Sequence, residues 1–110
     1  MNADDPSNGT RVSWRDVLLV AGVAFVARAL IVAWAAGRIA PVADGVYYET
    51  MAGRLAAGYG YTWQWPDGAV TPAAHYPVGF PAMVAIAYRA FGVGPWSAML
   101  PSVLLGTLGA

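Results

Sequence analysis

VLLVAGVAFVARALIVAWAA, residues Val17 to Ala36, is a run of 20 residues with one charge. As a helix rising ~1.5 Å per residue it matches the roughly 30 Å hydrocarbon layer of a bilayer. Trp14 and Trp34 lie near its ends, where interfacial aromatics sit. The stretch predicts a first transmembrane helix over residues 14–36. A cleaved signal peptide is the competing reading, with Arg11 and Arg15 as the basic region and Ala33-Trp34-Ala35 as a small-x-small site. A signal core spans only about 7–15 residues and does not carry an arginine such as Arg28 in its middle.

The rest of the chain agrees with a membrane setting. Of 110 residues, 58% are hydrophobic and 11% charged, against roughly 45–50% and about 25% in soluble domains. Six basic residues, all arginine, balance six acids, so no basic face exists for a nucleic-acid backbone. The absence of cysteine and the single histidine exclude disulfides, thiolate zinc and multi-histidine metal centres. Val78 to Phe91 (VGFPAMVAIAYRAF) is a second membrane segment in this reading, bounded at 78–92 and short for a span. Residues 96–110 are uncharged and stop without a cap, and read as the start of a further transmembrane helix that has been cut. Residues 1–13 are polar, rich in turn formers, and read as a disordered cytoplasmic tail. The expected fold class is an all-α polytopic membrane protein, of which this chain is a fragment.

Residues 37–77 form a loop of 41 residues that holds seven of the 14 aromatic side chains, a content that disfavours disorder. Within it, Tyr48, Met51 or Ala52, and Leu55 recur at helical spacing, predicting a short amphipathic helix over 45–57. Asp44 stands where a cap would stand, and Gly58 where a helix stops. Tyr61, Trp63 and Trp65 alternate with Thr62 and Gln64 before Pro66-Asp67-Gly68, which fits a small hairpin or an aromatic-rich coil. If residues 78–91 cross the bilayer, Arg11, Arg15 and Arg89 share one side against Arg38 and Arg54. That count favours a cytoplasmic N-terminus and an extracytoplasmic loop.

Few residues here can carry chemistry. Arg28 is twelfth in the apolar run, and either snorkels along its own stem or pairs within a protein interior. Asp44, eight residues past the run, can cap a helix, accept a proton from an acceptor hydroxyl, or bind a divalent cation such as Mg or Mn. Glu49 is off Asp44's helical face and reads as a solvated charge. His75 precedes the return to the membrane, at the depth of lipid phosphates, where an imidazole can donate a hydrogen bond.

The ordered set Ala27-Arg28-Ala29-Leu30, Asp44-Gly45-Val46-Tyr47-Tyr48, Ala52-Gly53-Arg54-Leu55-Ala56-Ala57-Gly58-Tyr59-Gly60-Tyr61, Tyr76-Pro77-Val78-Gly79-Phe80-Pro81 and Tyr88-Arg89-Ala90-Phe91-Gly92 resembles the start of bacterial GT-C membrane glycosyltransferases. The likeness is to the group similar to dolichyl-phosphate-mannose protein mannosyltransferases (family 39) and the lipid A aminoarabinose transferases, and runs from residue 15 onward. It implies a multi-pass enzyme of the bacterial plasma (inner) membrane. Such an enzyme moves a sugar, usually with inversion, from a polyprenyl-phosphate carrier to a protein, lipid or glycan acceptor. Asp44 matches the acid that those enzymes use just beyond the first helix, as base or with a divalent metal. Gly45 follows it where many relatives carry a second acid. His75-Tyr76-Pro77 approximates the basic residue before the second membrane segment. On this reading Asp44 is the catalytic and metal-binding candidate, and Tyr48, Trp63, His75 and Arg28 are the substrate-binding candidates. The alternatives are a non-catalytic membrane scaffold subunit, which the missing second acid favours, and a secondary transporter, which calls for inverted repeats.

Overall fold

A computed structural model describes residues 11–74 and 76–110, so residues 1–10 of the expected tail, and His75, lie outside the described residues. The chain is mainly helical: α1 (Trp14–Ala35), α2 (Asp44–Ala56), the strands β1 (Thr62–Gln64) and β2 (Val70–Pro72), α3 (Gly79–Phe91) and α4 (Pro95–Leu108).

α1 begins at a reciprocal cap. Ser13 Oγ accepts the Arg15 N–H at 3.2 Å, and the Asp16 carboxylate accepts the Ser13 N–H at 3.1 Å. Two backbone donors that helix geometry leaves unpaired are thereby satisfied. The helix runs 22 residues, its most apolar window has a mean hydropathy of 2.4, and none of that window is buried. A helix apolar all round, with most of its surface facing outward, suits a lipid environment. Among the described residues it is the one helix long and apolar enough to cross a membrane. Trp14 and Trp34 are exposed near its two ends.

α4 runs back along α1. Val17 and Val20 near the start of α1 share a cleft with Thr107 and Leu108 at the end of α4, Arg28 meets Gly106, and Gly37 and Arg38 lie beside Gly94 and Pro95. These pairings descend in one chain as they climb in the other, which is the signature of antiparallel helices. Pro95 opens α4, where a missing N–H costs nothing.

Between these arms, α2 packs on α3 through Ala52, Val84, Ala85 and Tyr88, joined by Leu55, Ala56 and Phe80 and by Ala98 of α4. The many alanines in this core let backbones approach closely. α2 ends in a paired motif: the Gly58 N–H donates to the Leu55 carbonyl at 3.1 Å and the Tyr59 N–H to the Arg54 carbonyl at 2.9 Å. The first post-helical turn needs a left-handed residue, and Gly58 takes it with φ 87°. The hairpin pairs Thr62 with Pro72, Trp63 with Thr71 and Gln64 with Val70. Its turn closes through the Trp65 N–H on the Ala69 carbonyl at 2.8 Å and Asp67 Oδ1 on the Ala69 N–H at 3.0 Å. Arg54 ties α2 to this hairpin, donating from Nε to Thr62 at 2.9 Å and from Nη1 to Gln64 at 3.1 Å.

Candidate functional site

Asp44 does not cap its helix. The N-cap is Ala43, with no side-chain cap bond and with φ at 47°, a left-handed conformation that a residue bearing Cβ rarely adopts. Asp44 is instead the first helical residue, and its exposed side chain accepts a hydrogen bond from the Tyr76 hydroxyl, 32 positions further on. The strained residue before it and the tyrosine opposite aim this carboxylate away from the cap position that local sequence suggests. At the first turn it also meets the positive end of the helix dipole.

A series of rings flanks the carboxylate. Tyr47 lies 4.8 Å from Trp63 and 5.2 Å, near parallel, from Tyr76. Tyr48 stands edge-on to Tyr76 at 5.7 Å and to Phe80 at 6.0 Å. Four elements therefore converge: the start of α2, β1, the segment before α3, and the first turn of α3. Tyr61 locks the third of these in place, its hydroxyl donating to the Tyr76 carbonyl at 2.8 Å. Its own ionisation is pushed above the usual tyrosine range by burial and by Tyr48. Tyr76 is likewise raised, first by desolvation, then by the charge of Asp44 and the neighbouring tyrosines, and by the hydrogen bond to Asp44. Tyr76 consequently stays a neutral donor throughout the physiological range.

Of the residues singled out in the sequence, Asp44, Tyr48 and Trp63 are brought into one neighbourhood. Arg28 is elsewhere. It is half-buried in α1, donates to the Ala24 carbonyl at 3.3 Å, and lays its guanidinium on Gly106 of α4. Gly106 lies eight residues beyond Ala98, about 12 Å along the α4 axis. His75 is adjacent in sequence to Tyr76 and lies outside the described residues. Tyr76 and Tyr47, not singled out individually in the sequence, complete the cluster. The Tyr-Tyr pair after Asp44 and the Tyr-Pro after His75 are the signals that could have found them.

Glu49 departs from the expectation of a solvated charge. It is half-buried and shares a cavity of about 440 Å³ with Arg38, Pro41, Tyr88 and Gly94. Five residues beyond Asp44, about 1.4 turns, the helix has rotated Glu49 toward α3 and α4, where packing partly covers it.

A divalent cation finds few ligands among the described residues. No three Asp, Glu, His or Cys gather there, and Asp44 has a phenol, not a second acid, beside it. A hard cation such as Mg is held by one or two carboxylates together with substrate phosphates and water, so Asp44 is at most one ligand among the described residues, and no step is routed through a metal. What the cluster offers is one carboxylate that can accept a proton or bind a hydroxyl, beside aromatic faces suited to the apolar face of a sugar ring or to lipid. Comparison with known proteins finds no matching family model, no matching curated protein and no matching solved structure.

Proposed function

We propose that this chain belongs to a polytopic membrane glycosyltransferase that transfers a sugar from a polyprenyl-phosphate donor to a protein, lipid or glycan acceptor. The reading rests on the resemblance in sequence and on one observation in particular: Asp44 is released from capping and set against Tyr76 among Tyr47, Tyr48 and Trp63. The resemblance puts the protein in a bacterial inner membrane with this cluster on the extracytoplasmic side.

In the proposed reaction Asp44 takes the proton of an acceptor hydroxyl as its oxygen attacks the anomeric carbon. The bond from that carbon to the phosphate oxygen breaks, and the polyprenyl phosphate leaves with the electron pair. Tyr76 holds the carboxylate through a neutral hydrogen bond, keeping one oxygen occupied and the other open. The leaving phosphate calls for a donor or positive charge, the part that the resemblance gives to His75. Trp63 and Tyr47 supply ring faces for the sugar.

Asp44→Asn tests this in the intact membrane protein. Asparagine retains an oxygen to accept the Tyr76 hydrogen bond but cannot serve as a base. With expression unchanged, transfer from a labelled polyprenyl-phosphate sugar falls by about 100- to 10,000-fold, the usual worth of a general base. Wild-type turnover in that variant refutes the assignment. Absence of released polyprenyl phosphate from the wild type, across donors, favours a non-catalytic scaffold.

A further inference from the structure

α3 is apolar enough to be read as a membrane crossing, yet its two ends do not fit one. Its 13 residues, like the 14 of α4, extend only about 20 Å, so length does not decide which of the two returns through the hydrocarbon layer. More decisive is where its far end lies. Gly37 to Pro41, the residues by which the chain leaves α1, line the same cavity as Val93 to Pro95, the turn between α3 and α4. Had α3 crossed the bilayer, that turn would stand on the opposite face, roughly a membrane thickness from Gly37. Instead the chain comes back to the end of α1 that it left, and α4 then runs down beside α1 until Thr107 and Leu108 meet Val17 and Val20.

We propose that the segment from Gly37 to Gly94 leaves and returns to one face of the membrane, that α4 and not α3 is the returning arm, and that lipid covers the outer side of α3. Ile86 and Phe91 are both strongly exposed, at 69% and 74%. Next to them, Leu104 and Leu105 of α4 line an almost wholly apolar groove with Ile86 and Phe91. One wall of that groove is α4, which on another side packs against α1, whose outward surface is apolar. A bilayer covers such a surface at no cost in buried polar groups. The arrangement also moves Arg89 to the same side as Arg38 and Arg54, three against Arg11 and Arg15. The arginine count that favoured a cytoplasmic N-terminus therefore loses its support, and orientation becomes something to measure.

The chain has no cysteine, so single-cysteine labelling is unambiguous. Val12→Cys, Ala40→Cys, Ala74→Cys and Val93→Cys are each made in the intact protein and treated with a membrane-impermeant maleimide in whole cells and in inverted vesicles. Positions 40, 74 and 93 label from one side and position 12 from the other. Labelling of position 93 with position 12 overturns the proposal, because α3 then crosses. Arg89→Cys provides a second site near the same end with the same two outcomes. Ile86→Cys reports the lipid contact: it reacts with the impermeant reagent only after detergent extraction, and reaction in intact membranes at the rate of position 93 overturns that part. None of these outcomes depends on sugar transfer, so the topology and the enzymatic proposal stand or fall separately.

Discussion

Gly106→Ala tests the junction of α1 and α4 at a single atom. A Cβ built on Gly106 collides with the Arg28 side chain, meeting Nε in severe overlap and both Cδ and Cζ at 3.0 Å. With the Arg28 side chain held by its hydrogen bond to the Ala24 carbonyl, overpacking of this kind costs about 1–3 kcal/mol; where the flexible side chain swings aside the cost is smaller. Against it, alanine is favoured over glycine within a helix by about 1 kcal/mol. The net effect with Arg28 present is thus a loss of about 0–2 kcal/mol. With Arg28→Ala in place the clash vanishes, and the same substitution stabilises by about 1 kcal/mol. The helix preference appears in both backgrounds and cancels in the cycle, leaving a coupling of about 1–3 kcal/mol between positions 78 apart in sequence. The four proteins, purified in one detergent, are compared by thermal or denaturant unfolding followed through tryptophan fluorescence. Coupling below about 0.5 kcal/mol, the level of independent sites, refutes an Arg28 side chain held in place on Gly106.

Two further outcomes concern the candidate site. At Ala43 the left-handed backbone, φ 47°, makes Ala43→Gly stabilising and Ala43→Val destabilising, by about 1 kcal/mol or more each way, in the same unfolding assay; an unchanged valine variant contradicts the strain. Tyr61 and Tyr76 both titrate above the ordinary tyrosine value of 10.0. Because their folded values are raised, the stability they contribute is complete below about pH 10 and drains away as pH climbs through the folded values. Tyrosinate absorbance reads this directly: in Asp44→Asn the Tyr76 titration moves down toward 10.0 but not fully, since burial, the largest cause, remains. No movement there means that Asp44 and Tyr76 are not in contact. Together with the Asp44→Asn transfer assay and the cysteine map, these measurements examine site and topology independently.

The local readings in the sequence had local causes. An unbroken apolar run with interfacial tryptophans yields α1, because hydropathy and helix rise need no partner. Pro66-Asp67-Gly68 makes a turn wherever two strands flank it, and the hairpin over 62–72 follows from that chemistry. Gly58 stops α2 since the turn after a helix calls for positive φ. Asp44 shows where such reasoning misleads. Its position before a helical pattern matches an N-cap, but the helix begins one residue earlier than the apolar spacing suggests.

The sequence by itself determined an α1 long and apolar enough to cross a membrane, the aromatic loop and the presence of one well-placed carboxylate, because these depend on composition and on neighbours a few residues apart. Only the tertiary structure decided that Asp44 meets Tyr76, that Arg28 lies on Gly106, that Glu49 is half-buried and that Val93 returns to the end of α1. Each of these joins residues at least 39 positions apart or follows from such a pairing, apart from Asp44 and Tyr76 at 32. No local periodicity encodes such pairs; the packing of α2 on α3 and of α4 on α1 sets them, through shapes that exist only once all the helices are in place.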